Sequence, residues 1–541
     1  MKKLVSRFMA VLMAMTMILS MSMTAFAAEA PKGTLTVNNT VAGKNLDLYQ
    51  IFTATKSGEN VAYTLNSAYE GFFQSKISGA STLTGEALSE KAYEYVKTQV
   101  GTDGSNGAAF AKDIMGWILS TSGENKTAVE STHSTTTTAD TKTVIENLAY
   151  GYYVVYPLGA TDTSTAPGNG TVKSVASLVS VTGTDATVNM KSNYPTVVKK
   201  VNNKNADDVN IGDTVTYTLT SKVPDMTGYT SYVFNFKDTL SAGLTFKEIT
   251  SVKVGETTIT KVDADQEADN TYTLTQDGQN ITITMNNFLA SNKDNTGKEI
   301  KVTYTATLNK DAVTGFDANK NSATVEYSNK PGTDNKGESE PSIVDVHTFN
   351  FTIFKYYLKD ETKTGLANAE FELYKANEAG DAADTNAKIN IVKVKEGEYR
   401  QATPEEAAAE GFKSDVIVSG TDGKVLVKGL DAGTYYLRET KAPEGYNKLL
   451  SDIKVEIKAN YDPKTGKLTS YSVDYTYNGT TTTGTEIKDT TTSPEVAVEN
   501  KTGAQLPSTG SKGALMVTLA GIVLFGALTA SKAFGKKKAN N

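Results

Sequence analysis

A five-residue segment near the C-terminal end has residue types suited to attack on a peptide bond by another enzyme. The pentad consists of Leu506, Pro507, Ser508, Thr509 and Gly510. Pro507 fixes its own φ and bends the chain, and Gly510 lets an active site approach the bond before it closely. An apolar run over 514–530, about as long as a short membrane span, follows the pentad, and lysines follow the run. Such a span would halt export and hold the pentad at the membrane face.

The order of pentad, apolar span and basic tail resembles the cell-wall sorting signal of Gram-positive surface proteins. In that family, a membrane-bound sortase cuts between the threonine and the glycine. Its cysteine keeps the threonine carbonyl as a thioester, which an amine then attacks. The resemblance implies cleavage between Thr509 and Gly510, with residues 506–541 as the sorting signal.

The N-terminal end predicts a secretory signal peptide over residues 1–27. Three basic residues precede an apolar stretch over 8–18, and Ala25-Phe26-Ala27 supplies a small-residue cleavage site. We therefore expect a secreted protein that reaches the cell wall and the surface of a Gram-positive bacterium.

The composition argues against several kinds of site. The sequence has no cysteine, and its two histidines, His133 and His347, stand in unrelated contexts, so neither a Ser-His-Asp centre nor a His-rich metal site is expected. The net charge is −7, and both end segments carry only positive charge, so the processed chain would be more acidic still. That charge disfavours nucleic acid as a partner. We expect no cofactor, no metal and no enzymatic activity on an external substrate.

Alternating apolar and polar residues predict an all-β protein. Short strands separated by turn signals indicate tandem immunoglobulin-like β-sandwiches. The expected domains are an N-terminal domain at 28–190, a middle domain at 191–343 and a C-terminal domain at 344–505. Helical patterns occur at 89–100 and 108–119, and residues 329–342 have the Pro, Gly and charge content of a connector.

The C-terminal domain contains the sequence motifs that are easiest to recognise. The segments "GLANAEFELYK" and "GKVLVKGLDAGTYYLRETKAPEGY" resemble the B-type domain of collagen adhesins and pilins. Such domains form an isopeptide bond between a lysine and an asparagine, assisted by a carboxylic acid. The resemblance implies Lys355 on the first strand, Asn500 on the last strand and Glu439 as the assisting acid.

The middle domain carries a related motif. "KDTLSAGLTF" resembles the pilin middle-domain motif and implies Asp238 as the assisting acid, with Asn321 of "NSATVEYSN" as the asparagine. Two adjacent lysines could supply the amine. Strand alternation puts Lys199 on a face with two valines and Lys200 on the opposite face, so Lys199 is preferred. The family's proline-to-lysine spacing also favours Lys199.

A pilus backbone also needs an acceptor lysine for the neighbouring subunit's threonine. The family motif V-x-V-Y-P-K ends a strand near the boundary between the first two domains. Here "ATVNMK" keeps the strand and the lysine but has Asn-Met in place of Tyr-Pro. The resemblance implies Lys191, with Lys173 and Lys200 as alternatives.

Together these resemblances imply a major, shaft-forming subunit of a sortase-assembled pilus (fimbria), joined through Thr509 to a lysine of the next subunit and supporting adhesion. Its expected partners are sortase, identical pilin subunits, minor pilins, peptidoglycan and host surface ligands. The alternative is a wall-anchored adhesin or minor pilin that binds a host ligand and is not polymerised.

Overall fold

β-Strands dominate the computed structural model, which describes residues 31–101, 106–120, 129–161, 175–190 and 193–502. The described residues pack as two units. The first contains the residues up to Thr348 together with Tyr461–Thr469, and the second contains Phe349–Asn460 and the residues from Ser470 onward.

The N-terminal part of the first unit has eight described strands. They are β1 (Lys32–Asn38), β2 (Asn45–Ser57), β3 (Asn60–Leu65), β4 (His133–Thr136), β5 (Lys142–Ala149), β6 (Gly151–Pro157), β7 (Ser177–Val181) and β8 (Ala186–Asn189). One sheet has the order β5-β1-β8, and the other has the order β3-β2-β6-β7 with β4 paired to β2.

Three helices cover the second of these sheets: α1 (Glu70–Lys76), α2 (Gly85–Val100) and α3 (Gly107–Leu119), with a short 3₁₀ turn at Ser67–Tyr69. Leu88, Ala92 and Val96 recur every four residues along α2, and all three are buried in the core beneath the helices. This spacing makes α2 amphipathic. The expected helices at 89–100 and 108–119 therefore lie inside α2 and α3.

The rest of the first unit is a two-sheet sandwich. Its strands are β9 (Val198–Val201), β10 (Ala206–Asp208), β11 (Thr214–Lys222), β12 (Phe234–Leu240), β13 (Leu244–Val254), β14 (Thr257–Thr258), β15 (Thr260–Lys261), β16 (Thr271–Asp277), β17 (Asn280–Met285), β18 (Glu299–Leu308), β19 (Asn319–Ser328), β20 (Lys336–Glu338) and β21 (Ser342–His347), with a short helix α4 (Phe288–Asn292). One sheet has the order β14-β13-β18-β11-β9, and the other runs β10-β21-β19-β12-β17-β16-β15 with β20 paired to β19. Tyr217 of β11 and Phe236 of β12 belong to one core between the two sheets.

The sheet that contains β19 and β21 extends beyond residue 343, where the sequence predicts the end of the middle domain. That boundary falls inside β21, where Val344 and Val346 alternate into the core and pair with β19. β20 also pairs with β19. Residues 329–342 therefore do not form a free connector, because β20 lies within them, β21 begins at their end, and both strands pair with β19. The composition of this segment gives no sign of the two strands.

The second unit contains two more sheets. Their strands are β22 (Phe349–Lys359), β23 (Thr362–Gly365), β24 (Glu370–Ala376), β25 (Ala383–Lys388), β26 (Ile391–Lys395), β27 (Glu398–Gln401), β28 (Ile417–Val418), β29 (Lys424–Leu430), β30 (Gly433–Lys441), β31 (Ile453–Tyr461), β32 (Leu468–Tyr477), β33 (Thr480–Thr482) and β34 (Glu495–Glu499), with a helix α5 (Pro404–Ala408). One sheet has the order β23-β22-β29-β27-β26, and β34 pairs with β22 in parallel. The other has the order β25-β24-β30-β31-β32-β33, and β28 pairs with β24. The prediction of an all-β protein with tandem sandwich domains is confirmed.

No helix in the described part of the chain is long and apolar enough to cross a membrane. The expected signal peptide at 1–27 and the expected span at 514–530 lie outside the described residues.

Two candidate crosslinking sites

Lys199 lies on β9 with its side chain inside the middle sandwich. Its exposed fraction is 1%, whereas its neighbour Lys200 is partly exposed and donates to Asn205 Oδ1. The cause is strand alternation: β9 pairs with β11, and Lys199 stands opposite the buried Leu219. The preferred lysine is therefore the one that points into the core.

Four buried side chains meet around the Lys199 amine, and we call them the middle site: Lys199, Asp238, Tyr304 and Asn321. Lys199 Nζ forms an ion pair with Asp238 Oδ2 and lies 2.8 Å from the Tyr304 hydroxyl. Tyr304 donates to Asp238 Oδ2 at 2.8 Å. Asn321 Nδ2 donates to the Tyr304 oxygen at 2.7 Å. The four residues come from β9, β12, β18 and β19, so both sheets of the sandwich contribute.

Burial controls the charge of this site. Removal from water lowers the pKa of Lys199 to about 8, although attraction to Asp238 opposes the shift. Burial, reinforced by the Asp238 charge, raises the pKa of Tyr304 well above its usual value, so the phenol stays neutral. Asp238 Oδ1 and Asn321 Oδ1 are buried with no hydrogen-bond partner among the described residues.

A second cluster, the C-terminal site, consists of Lys355 on β22, Glu439 on β30 and Asn500 directly after β34. Their exposed fractions are 0%, 2% and 2%. Lys355 stands opposite Val498 in the parallel β22–β34 pair, which brings the asparagine two residues later close to the lysine strand. The first strand of this unit and its last described strand are therefore neighbours.

The carboxylate of Glu439 contacts both nitrogen atoms of the C-terminal site. Its Oε1 lies 3.1 Å from Lys355 Nζ, in an ion pair without hydrogen-bond geometry. Its Oε2 accepts from Asn500 Nδ2 at 3.4 Å and from the backbone N–H of Leu449 at 2.7 Å. Asn500 Nδ2 also donates to the carbonyl of Asn447 at 2.7 Å. Burial lowers the pKa of Lys355 to about 8, and attraction to Glu439 opposes the shift.

Both sites combine an amine, a carboxyl group and a carboxamide inside an apolar core. Lys199 Nζ lies 5.0 Å from the ring centroid of Tyr217, and Lys355 Nζ lies 5.8 Å from that of Phe371. In such surroundings the neutral amine can act as a nucleophile. A carboxylic acid can then polarise the carbonyl under attack and move protons. Each cluster therefore contains the three groups that amide formation between side chains requires.

Tyr304 is the site residue that sequence reasoning missed. It lies on β18 between the buried Val302 and Ala306, and this alternation is the signal that its side chain points inward. Its ring stacks on Tyr217 with centroids 5.1 Å apart. The contact with Asp238, which lies on the opposite sheet, cannot be read from alternation.

The structure does not describe the other predicted site residues. The pentad Leu506–Gly510, Lys191 and Lys173 lie outside the described residues. Within the described part of the chain, no group of three or more histidine, cysteine, aspartate or glutamate residues could hold a metal ion.

Comparisons with known proteins connect both sites to one class of surface protein. Residues 211–331 match the model of "Gram-positive pilin backbone subunit 2, Cna-B-like domain". Residues 352–471 match the model of the SpaA "prealbumin-like fold domain". The first match contains Asp238, Tyr304 and Asn321, and the second contains Lys355 and Glu439.

Two curated relatives are pilus or surface proteins. The trypsin-resistant surface T6 protein of Streptococcus pyogenes serotype M6 is 26% identical over 322 residues, which cover 53% of this chain and 50% of that protein. Fimbrial subunit type 2 of Actinomyces naeslundii is 28% identical over 280 residues, which cover 48% of this chain and 50% of that protein. The chain therefore spans about half the length of the curated relatives it matches.

Solved structures similar to this chain include the T6 backbone pilin of Streptococcus pyogenes, with 16% identity, a TM-score of 0.45 and coverage of 88% of this chain and 100% of that chain. The major pilin SpaD of Corynebacterium diphtheriae shows 18% identity, a TM-score of 0.40 and coverage of 87% and 98%. The assignment is based on the two family models and the curated relatives. The chain thus matches a Gram-positive pilin backbone domain over residues 211–331 and a SpaA prealbumin-like domain over residues 352–471, and it is similar to a fimbrial subunit and to a streptococcal surface protein.

Proposed function

We propose that the protein is a shaft-forming subunit of a sortase-assembled pilus, and that its middle and C-terminal domains each contain an internal Lys–Asn isopeptide bond. The observation that carries this proposal is the pair of buried clusters, each with a lysine, a carboxyl group and an asparagine. Lysine is almost never fully buried without a partner, and a buried ion pair retains a large desolvation cost. A neutral amide in place of the lysine charge removes that cost.

The bond-forming step balances without any outside reactant. A proton passes from the lysine ammonium to the carboxylate, which leaves a neutral amine and a carboxylic acid. The amine attacks the asparagine carbonyl carbon, while the acid polarises the carbonyl oxygen. A new carbon–nitrogen bond forms between lysine Nζ and asparagine Cγ, the Cγ–Nδ2 bond breaks, and ammonia leaves. The role of the protein is structural, and this intramolecular step is its only proposed chemistry.

Each proposed bond joins an early strand of a domain to a late one. The Lys199–Asn321 bond connects β9 to β19, and the Lys355–Asn500 bond connects β22 to the end of β34. By analogy with disulfides, closing a loop of roughly 100 residues or more stabilises the fold by about 4–5 kcal/mol, on the chain-entropy model. A protein without cysteine thus gains covalent reinforcement outside the cell.

Polymerisation is the second half of the proposal. Sortase cleaves between Thr509 and Gly510 and joins the Thr509 carbonyl to Lys191 of the next subunit, with Lys173 and Lys200 as alternative acceptors. In this arrangement an N-terminal domain at 28–190 precedes the acceptor lysine, and the middle and C-terminal domains follow it. Peptidoglycan anchors the finished polymer to the cell wall, and minor pilins and host surface ligands are its further partners. Relatedness to a fimbrial subunit supports this assembly.

An immunoblot of cell-wall extracts boiled in detergent tests the proposed assembly. A ladder of high-mass species is expected from the parent strain. Lys191→Ala should abolish the ladder but leave a wall-attached monomer, because the pentad remains intact. Lys200→Ala removes an alternative acceptor and should keep the ladder, since Lys191 is the proposed acceptor. A single band in the parent strain would favour the wall-anchored adhesin instead. A full ladder in Lys191→Ala would move the acceptor to another lysine.

A further inference from the structure

The Tyr304 hydroxyl contacts every reacting group of the middle site. It accepts from Lys199 Nζ at 2.8 Å and from Asn321 Nδ2 at 2.7 Å. It donates to Asp238 Oδ2 at 2.8 Å. If the proposed isopeptide bond forms, Lys199 Nζ is the attacking nitrogen and Asn321 Nδ2 is the leaving nitrogen. We infer that Tyr304 is a catalytic residue that relays a proton from the attacking nitrogen to the leaving nitrogen.

The relay supplies a proton movement that the reaction requires. After Lys199 Nζ adds to the Asn321 carbonyl carbon, the attacking nitrogen carries one proton too many and the leaving nitrogen one too few. Nζ gives a proton to the Tyr304 oxygen, and the original hydroxyl proton, which Asp238 Oδ2 accepts before the reaction, rotates towards Nδ2 and passes to it. The Cγ–Nδ2 bond then breaks and ammonia leaves. Tyrosine ends the step as the neutral phenol with which it began.

The C-terminal site suggests why the middle site needs a hydroxyl. There, one oxygen of Glu439 lies 3.1 Å from Lys355 Nζ and the other lies 3.4 Å from Asn500 Nδ2. A single carboxyl group thus contacts both nitrogen atoms. Aspartate is one methylene shorter than glutamate. In the middle site, Asp238 Oδ1 has no hydrogen-bond partner among the described residues, and the leaving nitrogen contacts Tyr304 instead.

The position of Tyr304 is fixed by packing. Its exposed fraction is 1%, and it stands directly opposite Tyr217 in the β11–β18 pair. The stacked Tyr217 provides a matched control, because it is as buried as Tyr304 and its hydroxyl, although close to Asn321, makes no hydrogen bond of normal geometry and does not contact the Lys199 amine. Tyr217→Phe removes a hydroxyl from the same ring stack without removing the proposed relay.

The rate of bond formation tests the relay. Full-length mature chain is recovered unfolded in denaturant and refolded, and ammonia loss is followed by mass spectrometry of peptides from each site. Tyr304→Phe should slow the middle bond roughly 10²-fold or more, the scale of a lost general acid–base group. It should leave the C-terminal bond at the parent rate. Tyr217→Phe should form both bonds at rates close to those of the parent chain.

A second variant separates a chemical defect from a folding defect. In Asp238→Glu combined with Tyr304→Phe, the longer carboxylate can contact both nitrogen atoms, as Glu439 does. We expect the middle bond to form faster than in Tyr304→Phe alone, and no recovery would count against the relay. A parent-like middle rate in Tyr304→Phe would overturn it outright. Absence of the middle bond in the parent chain would overturn the proposed crosslink itself, so the two failures are distinguishable.

Discussion

Lys199 and Lys355 each form an ion pair with a buried carboxyl group, so the number of protons on the pair decides whether it can react. The reactive form, a neutral amine beside a carboxylic acid, holds the same number of protons as the ion pair. Burial lowers the pKa of both lysines to about 8. Above that pH the lysine loses its proton, which leaves a neutral amine beside a carboxylate that cannot polarise the amide.

The first prediction concerns this pH dependence. Because deprotonation of the pair removes the acid, the rate of both bonds during refolding should fall as pH rises above about 8, approaching tenfold per pH unit. Time-resolved mass spectrometry across a pH series measures the rates. If the fraction of neutral amine alone limited bond formation, the rate would instead rise with pH and level off above about pH 8. That result would contradict the role of the acid.

At the scale of strands, the C-terminal bond joins two strands that already pair, whereas the middle bond joins the two sheets of one sandwich. β22 and β34 are parallel neighbours, and β9 and β19 lie on opposite sheets of one sandwich. Without the bonds, both domains would still have complete sheets and cores. The crosslinks are therefore expected to change stability more than they change architecture.

The second prediction concerns stability. Asp238→Ala should lose the middle bond and Glu439→Ala the C-terminal bond, and each loss should lower the free energy of unfolding of its domain by about 4–5 kcal/mol through loop closure. Urea unfolding followed by circular dichroism measures the difference. Lys200→Ala is the control and should unfold like the parent chain. Unchanged unfolding of both acid variants would refute a crosslink in either domain.

Elements with strong hydrophobic periodicity could be predicted from the sequence, whereas short strands without a periodic pattern were missed. The helical patterns predicted at 89–100 and 108–119 lie inside α2 and α3, and strand alternation distinguished the buried Lys199 from Lys200. The strands β20 and β21 were missed because a three-residue strand and a short strand after a polar segment carry little periodic signal. The place of Tyr304 in the middle site was missed because its partners lie on three other strands.

For the whole molecule, the proposed bonds define where tension would travel along a shaft. Force would enter near residue 191 and leave near residue 509, so the N-terminal domain would lie outside the path. In its described part, none of the buried residues is a lysine. Within the path, residues 322–354 lie between Asn321 and Lys355 and are not bridged by either bond. β20 and β21 hold part of this segment to β19 by hydrogen bonds, and Val344 and Val346 pack into the core, but no covalent bond bridges the segment.

The third prediction follows from that gap. Single-molecule pulling between residues 191 and 509 should release residues 322–354 and then stop, since both domains are otherwise bridged covalently. The release should not exceed about 110 Å, the extended length of this segment. Asp238→Ala provides the comparison and should add unfolding of the rest of the middle domain. Stepwise unfolding of both complete domains in the parent chain would refute the load path.

The central claim is that two buried lysines become amides, and the intact mass of the recombinant mature chain tests it most directly. The account predicts a mass lower than that of the unmodified sequence by two molecules of ammonia. Lys199→Ala and Lys355→Ala should each restore one of the two, measured relative to the sequence of that variant, and Lys200→Ala should restore neither. A parent chain with its full unmodified mass would contradict the account.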